Sequence, residues 1–179
     1  MKKIKIFFLF VLPIFLISCS TFENSTIYDH PVRYFTSTIM NADRYFITLS
    51  NQTVWETDQL STFANLSPVL IVLDENVNVG EMYVGNMKYK IHGGNSDDFF
   101  YRTGYLQIMQ SYDSTKYVIT LLNNTKWEIP KQFNQFVKKW AYGSEVIITE
   151  DKNFMINARR REQIPVRQIH LHKKIKNVI

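Results

Sequence analysis

The sequence predicts a mainly β protein built as two tandem copies of a small barrel-like unit. Three observations lead there. Aromatic residues make up 15% of the 179-residue chain. Ile, Thr, Val and Tyr are plentiful beside modest Ala and Leu, a balance that favours sheet over helix. The stretch Arg44–Glu56 (RYFITLSNQTVWE) aligns with Lys116–Glu128 (KYVITLLNNTKWE), with eight of thirteen positions identical where chance gives about one. Short β-branched and aromatic runs recur at intervals of about ten residues with turn residues between them. That is the spacing of a small SH3-like or OB-like barrel.

The chain opens with a targeting segment. Lys2, Lys3 and Lys5 precede an apolar run from Ile6 to Ile17, about 12 residues and short of the ~20 that span a bilayer. Leu16-Ile17-Ser18-Cys19 follows, in the Leu-x-small-Cys form of a lipobox. On these residues the first twenty or so positions resemble a bacterial lipoprotein precursor. The resemblance implies a diacylglycerol on the Cys19 sulfur, cleavage before Cys19 and acylation of the new amine. Each buried methylene contributes ~0.8 kcal/mol, so two or three acyl chains amount to a permanent membrane anchor. Ser20 stands where an Asp would favour retention in the inner membrane, which points to the outer membrane in a host that has one. On this reading residues 1–18 are a signal peptide, and residues 19–33 a polar, Pro-containing tether. Cys19 is the only cysteine, so the fold has no disulfide and stands on its apolar core.

Cleavage changes the charge balance. The whole chain carries 21 basic and 16 acidic side chains, but three lysines leave with the signal. From Phe154 onward seven basic residues face only Glu162, so the positive charge collects at the C-terminal end.

Residues 34–96 form the first expected unit and residues 97–179 the second. In each, Tyr45–Leu49 and Tyr117–Leu122 read as outgoing strands. Thr53–Glu56 and Thr125–Glu128 read as the returns, with Ser50-Asn51-Gln52 and Asn123-Asn124 supplying the turns. The matched tryptophans, Trp55 and Trp127, fit core anchors. Upstream, Ile39-Met40 is paired with Ile108-Met109; downstream, Ser67–Ile71 is paired with Ser144–Ile148. Pro68–Leu73 and the run through Glu81 to Ile91 continue the first unit, and Val146–Thr149 and Phe154–Asn157 the second. Pro130 opens a short helix in the second copy, placing Phe133, Phe136, Val137 and Trp140 at i, i+3, i+4 and i+7 over the end of a barrel. His92–Asp98 reads as a connector, with Phe99-Phe100-Tyr101 beginning the second core or the contact between units. Packing of the two thin cores on each other is expected.

The residues offer little catalytic chemistry. The lone thiol is the lipid site and no Gly-x-Ser-x-Gly elbow occurs. His170 and His172 share a strand face without a third ligand, Asp97-Asp98 lacks a calcium-loop pattern, and no metal or cofactor is expected. Asn-x-Ser/Thr triplets such as Asn51-Gln52-Thr53 and Asn65-Leu66-Ser67 read as chance in an Asn-rich chain. Arg159, Arg160, Arg161 and Arg167 stand out as a candidate surface for an anionic envelope component or an acidic protein, against the plain reading of charges that blunt a strand edge. Nucleic acid is not expected beside a membrane. The resulting expectation is a lipid-anchored, non-catalytic structural or binding module. A hydrolase, or a modulator of one, using a cleft between the units is the alternative. Glu56 and Glu128 recur in both copies, which assigns them to the fold before catalysis.

Overall fold

The computed structural model describes residues 31–59, 63–74, 79–93 and 101–170. The first stretch of chain forms β1 (Pro31–Asp43), β2 (Phe46–Leu49), β3 (Val54–Thr57), β4 (Pro68–Asp74), β5 (Val79–Val84) and β6 (Met87–Gly93). The second forms β7 (Arg102–Asp113), β8 (Val118–Leu121), β9 (Lys126–Glu128), β10 (Glu145–Thr149), β11 (Phe154–Asn157), β12 (Glu162–Pro165) and β13 (Arg167–Ile169). Between β9 and β10 lie a 3₁₀ turn (Lys131–Phe133) and a one-turn helix, α1 (Asn134–Val137).

The fold is mainly β and holds a closed six-stranded barrel. Pairing runs β1-β2-β3-β6-β5-β4 and returns to β1. What allows the closure is a bend in β1. Thr38 pairs with Pro68 of β4, Ile39 with Leu49 of β2, and Met40 is the extra residue of a bulge before Asn41 meets Thr48. A bulge adds local twist and bends its strand, so one long strand serves two parts of the sheet. In β7 the same register shift falls between Met109 and Ser111.

The pairings of the second half follow the same order. β7 pairs with β8 and β10, β8 with β9, and β10 with β11. The last run of this half is in two short strands. β12 pairs with β11 and β13 with β9, with Val166 between them. The two long strands also join directly, Pro31↔Tyr105 through Tyr34↔Arg102, making one sheet of the described strands. Gly104 sits in this junction, opposite Val32 on one side and Thr149 on the other. A β-carbon there would lie 2.6 Å from the Ile148 carbonyl oxygen, so only glycine lets the strands approach so closely.

Period-2 alternation sorts the side chains into three cores. Phe35, Ile39, Ile47, Leu49, Trp55, Val69, Ile71 and Met82 fill the barrel. Met109, Ile119, Leu121, Trp127, Val137, Trp140, Val146 and Ile148 fill the second half. Between the halves lie Val32, Tyr34, Leu70, Val72, Tyr83, Leu106, Ile147 and Ile156. This explains the unbroken Val69-Leu-Ile-Val-Leu73 run of β4. Odd positions face the barrel and even positions face the other half, so both faces are apolar. Val146-Ile147-Ile148 in β10 divides in the same way.

Several expectations need correcting. Pro31–Arg33, assigned to the tether, are the first residues of β1. Val32 is buried and pairs on both sides, because the interface between the halves needs it. Of the residues paired as Ile39-Met40 and Ile108-Met109, Ile39 sits opposite Leu49, and it is Met109 that sits opposite Leu121. The run from Glu81 to Ile91 is two strands, with the chain reversing at Gly85-Asn86. Of Phe99-Phe100-Tyr101, only Tyr101 lies within the described residues; it packs edge-on against Phe35 at 5.7 Å, on the core of the first half, which is the second of the two alternatives expected for it. Of the four helix positions, Val137 and Trp140 are buried and Phe133 packs against the second core, while Phe136 stays exposed.

Candidate functional site

The most closely matched residues of the chain turn out to build turns. Asn51 Oδ1 accepts from the Thr53 hydroxyl at 2.8 Å, and the Thr53 hydroxyl oxygen accepts from Trp55 Nε1 at 2.8 Å. In the second half Asn123 Oδ1 accepts from the Thr125 hydroxyl at 2.7 Å, and Thr125 accepts from Trp127 Nε1 at 3.0 Å. Gln52 and Asn124 take the positive φ these turns require, 66° and 62°. The Asn-x-Thr triplets are thus the caps that satisfy two buried indole N–H groups. Glu56 is exposed, and Glu128 lies across from Arg167 in a salt bridge.

The four candidate arginines do not make one uniform patch. Arg159 is exposed, with Nη1 3.5 Å from the Asn86 carbonyl. Arg160 Nε is 3.0 Å from Glu162 Oε2, which also accepts from Trp140 Nε1 at 2.8 Å. Burial raises the Glu162 pKa, but the Arg160 and Trp140 hydrogen bonds outweigh it and the carboxyl lies below its usual range. Arg167 Nε donates to Glu128 at 3.1 Å. Arg161 differs from the other three. It sits at φ 56°, and its Nη1 is buried with no hydrogen-bond partner among the described residues. It lines a cavity of about 350 Å³ with Tyr34, Thr36, Leu70, Arg102 and Gln163.

A second cavity of about 350 Å³ lies where the halves meet, lined by Val32, Asp74, Glu81, Lys90, His92 and Leu106 among others. Glu81 is already engaged. Its Oε2 accepts from the Tyr83 hydroxyl at 2.6 Å, and its Oε1 lies 3.0 Å from Lys88 Nζ. Lys88 Nζ also reaches Glu145 of β10 at 2.8 Å, so one ammonium ties the halves together. Burial lowers the Lys88 pKa, yet the two carboxylates more than compensate and raise it. Burial, then Glu81 and Glu145, push the Tyr83 phenol far above its ordinary range, fixing it as a neutral donor.

Cys19, the signal segment, Asp97-Asp98 and His172 lie outside the described residues. His170 ends the described chain in an exposed position, just past β13. Among the described residues no group of three His, Cys, Asp or Glu is placed to hold a metal, and no helix is long and apolar enough to cross a membrane. Sequence reasoning missed Arg102 and Lys88. Neither belongs to a motif, and only the fold brings Arg102 beside Arg161 or Lys88 beside Glu145.

Comparison with family models, curated proteins and solved structures returned no match.

Proposed function

We propose that this protein is a lipid-anchored lipoprotein of a bacterial envelope, outer membrane rather than inner, and a non-catalytic binding or structural module. Its two halves are tandem copies of one SH3-like or OB-like unit, spanning residues 31–96 and 97–179. The anchor reading rests on the lipobox that ends at Cys19. The observation that carries the module reading is what the matched residues do. Asn, Thr and Trp recur at corresponding positions in both halves, and in each they close a hairpin and satisfy an indole. Residues kept in both copies for the fold leave the function to what differs between them, and the clustered arginines of the second copy are the clearest difference. An anionic envelope component or an acidic protein is the partner this charge fits.

Mass spectrometry of the membrane fraction tests the anchor, with a chain beginning at lipidated Cys19 as the expected result. An unmodified secreted chain would end this reading. Affinity capture compares the native chain with one neutralised at Arg159, Arg160, Arg161 and Arg167. Loss of partners is expected; equal recovery returns these arginines to solubilising charges.

The cavity lined by Asp74 and Glu81 supports a second reading, as an envelope hydrolase or its modulator. Lys88 and Tyr83 already hold Glu81, which disfavours it as a free acid or base. Hydrolysis of cell-wall polymer that Asp74→Asn abolishes would establish this alternative.

A further inference from the structure

We infer that the cavity between β1, β4, β7, β11 and β12 is a binding site for a small phosphate ester, with Arg102 and Arg161 as its charged contacts. Two arginines lie in its wall, and none of the described residues lining it is acidic. An arginine cannot shed its proton to escape burial. A guanidinium nitrogen held away from water without an acceptor therefore carries a real desolvation cost. Arg161 Nη1 is in that position. The positive φ of Arg161 belongs to the turn between β11 and β12, which its amide closes on the Asn157 carbonyl at 2.7 Å. The guanidinium that this turn carries to the cavity wall has hydrogen-bonding capacity that the described residues leave unused.

The chemistry of the wall selects the partner. Guanidinium forks match the oxygens of phosphate, and two forks suit a group with several free oxygens. Thr36 and Gln163 add neutral hydrogen-bonding groups, while Leu70 and Ile156 give an apolar surface for a short uncharged stem. The Tyr34 hydroxyl is within hydrogen-bonding reach of Arg102, and burial raises its pKa so that it stays neutral. Asp151 is close enough to influence Tyr34, but its carboxylate accepts from the Thr149 hydroxyl at 2.5 Å and the Asn153 amide at 3.0 Å. A volume of about 350 Å³ sits at the small end of ligand pockets, the size of a glycerol or sugar phosphate. Because the cavity draws on both halves, occupancy would also tie them together.

This inference deepens the anionic-partner reading, resting on it only for the sign of the charge. The test uses the purified full-length protein in neutral detergent, titrated with glycerol 3-phosphate by calorimetry. Saturable binding and a ligand-dependent rise in Tm are expected. Arg161→Gln and Arg102→Gln should each weaken binding by tenfold or more, and Lys138→Gln, at an exposed lysine outside the cavity, should leave it unchanged. Absence of saturable binding by the native protein, or equal weakening by Lys138→Gln, overturns the site. The native Tm response keeps the test valid should a variant fold poorly. Co-sedimentation with phosphatidylglycerol vesicles, set against phosphatidylcholine vesicles, separates the sources. Capture that glycerol 3-phosphate displaces assigns the site to a lipid headgroup; binding of the soluble ester alone assigns it to a free metabolite. An unlipidated chain that still binds glycerol 3-phosphate would sink the anchor and leave the site standing.

Discussion

The two halves close their hairpins with the same chemistry but complete their sheets differently. In the first, β6 is continuous and closes the barrel against β3 and β5. In the second, the last run is split into β12 and β13 after Val166, whose amide still bonds to the Asn153 carbonyl at 2.8 Å in line with the β11–β12 register. The break comes with an extra device. The turn and helix after Pro130 deliver Val137 and Trp140 to the second core, and Trp140 is held by Glu162 at the start of β12. The barrel of the first half has no helix among its described residues. The two halves share a hairpin with a Trp-Thr-Asn cap and differ in how their last strands run. The arginine-bearing turn lies just before β12.

The largest effect should come from removing the capped tryptophans. Trp55→Ala and Trp127→Ala each delete a buried indole, at a cost of about 3–5 kcal/mol. Chemical denaturation should show comparable losses if the two hairpins play equivalent parts. A loss under 1 kcal/mol at one site would break the equivalence. Next is the layer that joins the halves. Leu70→Ala and Ile147→Ala cut the same interface from opposite sides and should each cost about 2–4 kcal/mol. Because both residues serve one shared layer, either change should shift a single unfolding transition. Two separate transitions, with only one moving, would show that the halves fold independently.

Changing the threonines sharpens the comparison further. Thr53→Val preserves shape but leaves Trp55 Nε1 without its acceptor in a fully buried position, which should cost about 1–3 kcal/mol. Thr125→Val makes the same change where the bond is only partly buried, and water can replace the lost acceptor, so about 1 kcal/mol or less is expected. Equal losses would mean that burial does not set the difference.

How much of this was legible in the sequence follows from the range of each interaction. The hairpins were readable because strand, turn and cap lie within a dozen residues, and Asn, Thr and Trp each have a local reason to be there. The β1–β7 junction was not readable: nothing local tells Val32 that it will meet Gly104. The apolar run of β4 did carry a signal, since five consecutive buried residues imply two covered faces. The split of β12 from β13 rests on one residue, Val166, in an otherwise strand-like run. Of the candidate site, Arg161 was visible as part of a charged cluster. Its difference from Arg159 and Arg160 comes from the turn that buries it, and Arg102 joins it only through the fold.

The smallest expected effect tests the one place where the hairpins of the long strands differ in length. After Asp43 only Arg44 and Tyr45 separate β1 from β2, whereas Ser114 to Tyr117 separate β7 from β8. The longer link is organised by Asp113. Its Oδ1 accepts from the Thr115 hydroxyl at 2.6 Å, the Thr115 amide at 3.0 Å and the Lys116 amide at 3.1 Å. These bonds, the Thr115 hydroxyl foremost, favour the charged form and lower the Asp113 pKa to about 2. A carboxyl whose folded pKa is depressed stabilises the fold above its unfolded value, about 3.9. That contribution fades as pH falls from there toward 2. NMR titration should place Asp113 near 2 in the native protein and higher in Thr115→Ala. The stability gap between the two proteins should narrow as pH falls through the same window. A gap that stays constant from pH 5 to pH 2 would mean that Thr115 acts through packing, and that the longer link owes nothing to the charge on Asp113.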